Sequence, residues 1–144
     1  MFKYTVKYED YNGESREKDI FFNLSVPEML NLENSVPGGY SNYLEKIARE
    51  KNASEVWKIF ESLVDLAYGE KSSDGERFVK VDSDGTKLVE KFKETPAFEA
   101  FMFELLADAD LASNMVTNMI PNQYIKRLQN GEIANIAALE GDKQ

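Results

Sequence analysis

Phe2-Lys3-Tyr4-Thr5-Val6-Lys7-Tyr8-Glu9 alternates apolar and polar side chains along its whole length. A period of two belongs to a strand with one face buried and the other in water. Tyr11-Asn12-Gly13-Glu14 follows, and Asn-Gly is a strong hairpin signal because both residues tolerate positive φ. The pattern predicts a return strand over residues 16–24, with Ile20 and Phe22 on one face and Phe21 on the other. A two-stranded hairpin is marginal alone, so its aromatic face must lie on helices or on another chain.

Beyond the hairpin the spacing turns helical. Ser25 as N-cap and Pro27 in the first turn predict a short helix over 26–33. Asn34-Ser35-Val36-Pro37-Gly38-Gly39 reads as a loop; its Gly pair could suggest phosphate binding, but no strand precedes it and no Lys-Ser/Thr follows, so a plain turn is favoured. Tyr40 to Lys51 reads as a helix with Tyr43, Leu44, Ile47 and Ala48 on one face, broken at Asn52. Ser54 is the expected cap of the next helix, in which Val56, Ile59, Phe60, Leu63, Val64 and Ala67 recur at helical spacing. Gly69 is expected to stop it as a left-handed C-cap. Trp57, on the flank of that stripe, is either core rim or a contact anchor.

Residues 70–76 read as a charged loop, and Arg77 to Val81 as a third short strand or an extended link. Asp82-Ser83-Asp84-Gly85 is a turn, Thr86 to Glu94 a helix, and Thr95-Pro96 the start of another running to about Ala107. A last helix covers Ala109 to Ile120, stopped by Pro121. Beyond it, Tyr124, Ile125 and Leu128, then Ile133, Ile136, Ala137 and Leu139, give weak amphipathic stripes. The expected fold is α+β and mostly α: an N-terminal β-hairpin, with a third short strand left open, packed on a bundle of about five to six helices. Residues 1–121 form one globular domain, and 122–144 a weakly helical or flexible tail.

The 144 residues can bury a single core. No run of about 18 apolar residues exists to span a bilayer, and the alternating N-terminus does not read as a signal peptide. The chain has neither Cys nor His. Thiol nucleophiles, zinc–thiolate sites and Ser-His-Asp or Cys-His catalysis are therefore excluded, whereas carboxylate- or lysine-based enzymes are not. A net charge of −9 disfavours nucleic acid and anionic membranes as partners. That acidity either keeps the protein soluble or matches a basic partner.

The candidate chemical sites read more simply as structure. An EF-hand needs carboxylates at positions 1, 3 and 5, Gly at 6 and Glu at 12. With Gly85 at position 6, positions 1 and 12 become Lys80 and Lys91, so no calcium loop is expected. Asp108 and Asp110, near Glu104, could bind a hard cation or act as an acid/base pair, but Asp108 is also well placed to cap the helix that begins there. Glu61 and Asp65 read as a solvated helix face. No metal or cofactor is expected.

The helix from Pro96 is apolar on two sides. Phe98, Phe101, Met102, Leu105 and Leu106 share one face, whereas Phe103 falls nearly opposite, close to Ala100 and Ala107. Met115 and Met119 lie together on the next helix, and thioethers suit adaptable contact surfaces. Such a helix is either sandwiched in the core or presents one side to a partner. The candidate partner-binding residues are Phe98, Phe101, Phe103, Met115 and Met119.

These residues also carry a resemblance. The hairpin with Tyr11-Asn12-Gly13 and Phe21-Phe22-Asn23-Leu24 comes first, then Ala67-Tyr68-Gly69-Glu70-Lys71 and Ser73-Asp74-Gly75-Glu76-Arg77-Phe78-Val79-Lys80. Ala97-Phe98, Phe101-Met102-Phe103-Glu104-Leu105, Asp108-Ala109-Asp110 and Met119-Ile120-Pro121 complete the set. In order and spacing, over roughly residues 2–121, the chain resembles the tail assembly chaperones of long-tailed, siphovirus-type bacteriophages of Gram-positive hosts. The resemblance implies a non-enzymatic protein of the infected cell's cytoplasm, absent from the mature virion. It implies binding and solubilising the tape measure protein and helping to recruit tail tube subunits, with homo-oligomers allowed. A minor tail or connector component of the virion is the alternative, and an enzyme built on Glu104, Asp108 and Asp110 a remote one.

Overall fold

The computed structural model describes residues 1–40, 43 and 53–119. Most of the helix expected over Tyr40–Lys51, the break at Asn52, the stop at Pro121 and the tail from residue 122 lie outside the described residues. The hairpin forms as expected: strand β1 (Phe2–Glu9) pairs antiparallel with β2 (Ser15–Phe22), Phe2 opposite Phe22 and Glu9 opposite Ser15. Helix α1 (Val26–Glu33) follows, then α2 (Ala53–Ala67), strands β3 (Tyr68–Lys71) and β4 (Phe78–Val79), and helices α3 (Leu88–Lys93), α4 (Pro96–Ala107) and α5 (Ala109–Asn118). The sheet is a four-stranded antiparallel meander in the order β1-β2-β3-β4, more sheet than the expected two or three strands. The class is α+β.

The period-two pattern decides which face is buried. Phe2, Val6, Ile20 and Phe22 are buried with Tyr4 and Tyr8 beside them, whereas Lys3, Thr5, Lys7, Glu17 and Asp19 lie in water on the other side. That outer face is zipped by Thr5 Oγ1 donating to Asp19 (2.6 Å) and by Lys3–Asp19 and Lys7–Glu17 pairs at 3.7 Å. Exposed pairs of this kind contribute little to stability. The inner face does more, through a chain of rings. Phe22 stacks on Phe101 at 5.1 Å, Tyr4 meets Phe101 at 5.6 Å, Phe22 meets Tyr68 edge-on at 5.7 Å, and Tyr68 lies flat on Phe92 at 4.2 Å. Residues from β1, β2, β3, α3 and α4 thus share one aromatic core.

Gly69 does not end α2 as a left-handed cap. The helix passes straight into β3 at Tyr68, with no intervening loop. β2 captures the emerging backbone: Asn23 N–H donates to Ala67 O at 2.9 Å, and Phe22 and Phe21 pair with Tyr68 and Gly69. Glycine is required at 69 for space: a Cβ there would stand 2.6 Å from the Val79 carbonyl oxygen and 2.5 Å from the Phe78 ring. β4 approaches too closely for any side chain. Ser54 likewise lies inside α2, not at its cap.

The remaining turns follow local chemistry. Asp10 and Asp82 open two loops of the same design. In each, one carboxylate oxygen accepts two backbone N–H groups (Asn12 and Glu14; Asp84 and Thr86), and Gly13 or Gly85 takes the positive φ. A cation holds the other oxygen, Arg16 on Asp10 and Lys91 on Asp82. Thr86 and Lys87 are thereby held in the loop and in a bridge to Val81, which delays α3 from the expected Thr86 to Leu88. Ser25 and Glu28 form a reciprocal capping box at the start of α1. Burial opposes the charged form of Glu28, but Lys80 at 2.7 Å and the Ser25 groups outweigh it and hold the carboxyl below its ordinary range.

Candidate partner-binding surface

α4 is where the sequence leaves two apolar faces, and its capping fixes which one turns inward. Thr95 Oγ1 accepts the Phe98 N–H at 3.4 Å and Pro96 opens the helix. Ala97, Phe101, Met102 and Leu105 then face β1 and α5 and are buried. Glu99 and Glu104 are the only polar residues of the helix.

The opposite side is open. Phe103 is 75% exposed and Leu106 50% exposed, with Glu99 and Ala107 also in water. A Phe left in water forgoes roughly 1.5–3 kcal/mol that burial would return. Spacing groups Leu106 with Phe98, Phe101, Met102 and Leu105, but it does not share their burial. It lies about 100° of helix rotation beyond Leu105, and the buried arc ends before it.

The five candidate residues therefore divide. Phe101, Met115 and Met119 are buried at 1% exposure or less, and Leu24 N–H donates to Met119 O at 2.9 Å. Phe98 is half-buried, its ring edge-on to Phe92 at 5.5 Å. Phe103 alone stands on open surface. The structure adds Leu106, three residues on, as its neighbour along that face; the missed signal was the narrowness of the buried arc. Trp57 is also exposed, on α2.

The carboxylates near this helix have structural tasks. Tyr4 Oη donates to Glu104 Oε2 at 2.7 Å. That bond above all, with burial and the charges of Glu104 and Asp108, pushes the Tyr4 hydroxyl up to about 12. Asp108 Oδ1 accepts the N–H groups of Asp110 and Leu111 at 3.0 and 3.3 Å, capping α5. No cluster of three or more acidic side chains arranged to hold a metal ion occurs among the described residues. Asp82 has both oxygens committed to its loop and to Lys91. At the Gly pair, Gly39 N–H donates to Val36 O at 3.2 Å and the Glu33 carboxylate crowds Gly39, so a carboxylate sits close to the place a phosphate would need.

No helix among the described residues is long and apolar enough to cross a membrane. No curated protein and no solved structure matches the chain. A family model described as phage tail assembly chaperone matches residues 1–142, reaching well past Pro121, where the quoted motifs end. With the match spanning nearly every residue, the chain belongs to the phage tail assembly chaperone family.

Proposed function

We propose that the protein binds the tape measure protein in the infected cell, keeps it soluble, and helps bring tail tube subunits to it. The outer face of α4 is the contact surface, with Phe103 and Leu106 at its centre; Phe98 lies on the inner side, half-buried against Phe92. Phe101, Met115 and Met119 act from behind, fixing the helix so that this face stays outward. The observation that carries the reading is the 75% exposure of Phe103 on a helix whose other face is core. A long tape measure helix exposes apolar stripes until the tube encloses it, and a small rigid apolar face can cover such a stripe. Membership of a chaperone family supports the same reading.

Co-expression with a long helical tape measure protein is the test. The expected result is a soluble tape measure protein with the native chain and an insoluble one with F103S/L106S. Equal solubility with native and variant chains would remove α4 from the role. Abundant copies of the protein in purified virions would instead favour a structural tail component.

A further inference from the structure

We propose, resting on the assignment of the α4 face as the contact surface, that its occupant is a basic amphipathic helix: an apolar stripe flanked by lysine or arginine. Charge placement carries this. Lys93 is the last cation before Lys126, and Glu94, Glu99, Glu104, Asp108 and Asp110 fall between them. The surface of α4 and α5 therefore carries no cation: it is apolar or anionic, with neutral polar Ser113, Asn114, Thr117 and Asn118 on α5.

Elsewhere lysines and arginines lie among the acids, although Glu9, Glu33, Glu70, Asp74, Glu76 and Asp84 also form no ion pair among the described residues; what sets α4 and α5 apart is the absence of any cation. Asp10, Glu17, Asp19, Glu28, Asp65 and Asp82 each sit within 4 Å of a lysine or arginine. Glu99, Asp108 and Asp110 are exposed and have no ion-pair partner among the described residues. Glu99 lies one helical turn before Phe103, and Asp108 and Asp110 follow Leu106 at the other end of the apolar face. An apolar centre rimmed by unneutralised carboxylates is complementary to a helix whose flanks are cationic. It repels one whose flanks are acidic, and so provides selection as well as attraction. A second copy of this chain would set the same anionic rim against itself, which disfavours self-association through this face.

The test is binding of the full chain to two fluorescent synthetic helices with the same leucine stripe, one flanked by lysine and one by glutamate, followed by fluorescence anisotropy. The lysine helix is expected to bind at least about tenfold more tightly, with the preference shrinking as salt rises from 50 to 300 mM. E99Q/D110N should narrow the preference while leaving the fold intact by circular dichroism. F103S/L106S should abolish binding of both helices. Equal affinity for the two helices, lost in F103S/L106S, would overturn the charge inference and leave the contact surface standing. Binding indifferent to F103S/L106S, or no binding to either helix, would overturn the inference as well; the co-expression result then decides separately whether the contact surface survives.

Discussion

Phe101 and Phe103 are two residues apart on one helix and sit in opposite environments, so the pair gives a direct test of how α4 is seated. Phe101 is fully buried and touches the rings of both Phe22 and Tyr4. Truncating a buried Phe to Ala costs about 3–5 kcal/mol through lost transfer energy and the cavity left behind. The two lost ring contacts place Phe101→Ala toward the upper end of that range. Against a typical domain stability of about 5–15 kcal/mol, this is a large fraction of the total. Phe103→Ala removes a side chain that is three-quarters in water, and such surface changes stay within about 0.5 kcal/mol. Urea unfolding followed by circular dichroism reads both. With a slope of about 2 kcal/mol/M, a cost of about 4 kcal/mol lowers the midpoint by about 2 M, whereas Phe103→Ala moves it by about 0.25 M or less. Equal shifts for the two variants would refute the seating of α4, and a larger shift for Phe103→Ala would show that its outer face is packed.

Two further perturbations address other parts of the fold. Gly69→Ala should destabilise by about 1–3 kcal/mol, because the new methyl meets the Val79 carbonyl, a backbone atom with little freedom to move; thermal unfolding midpoints of variant and native chains measure this, and an unchanged midpoint would mean that β4 can retreat. Tyr4, Tyr40 and Tyr68 have hydroxyls pushed up to about 12 (Tyr4 by its bond to Glu104, Tyr40 and Tyr68 by burial), above the ordinary 10. Their neutral forms are favoured in the folded state, so this stabilisation is complete below pH 10 and is lost as the pH rises toward 12. Absorbance titration at alkaline pH should show a late group of ionisations coinciding with loss of helical signal, and Tyr4→Phe should remove one member of that group.

The hairpin was fully legible because the alternation of Phe2, Tyr4, Val6 and Tyr8 against charged residues permits only one register with a dry face. The caps at Ser25, Thr95 and Asp108 were legible for a similar reason: each is a local bond between a side chain and the next turn of backbone. β3 was not. Tyr68-Gly69-Glu70-Lys71 has no period of its own, and it becomes a strand only because β2, some 46 residues earlier, offers Phe21 and Phe22 as partners. Without that partner Gly69 looks like a helix stop, and the true demand on it, the approach of Val79, is non-local. The contact surface was half legible. Phe103 stood out as the wrong side of an apolar helix, but the burial of Phe101, Met115 and Met119 depends on where the sheet lies, and periodicity places residues on a face without saying what the face meets.

The bond between Tyr4 and Glu104 joins residues 100 positions apart. At a synthesis rate of about 5–20 residues per second, β1 is complete for about 5–20 s before its covering helix exists. During that interval the row Phe2, Tyr4, Ile20 and Phe22 lacks the Phe101 ring, and only Phe22 gains an earlier ring partner, in Tyr68. An assembly chaperone is thus itself, for several seconds of every synthesis, a nascent chain with an uncovered aromatic sheet. The lysines and carboxylates along the other side of the hairpin are then its main protection from joining another strand edge.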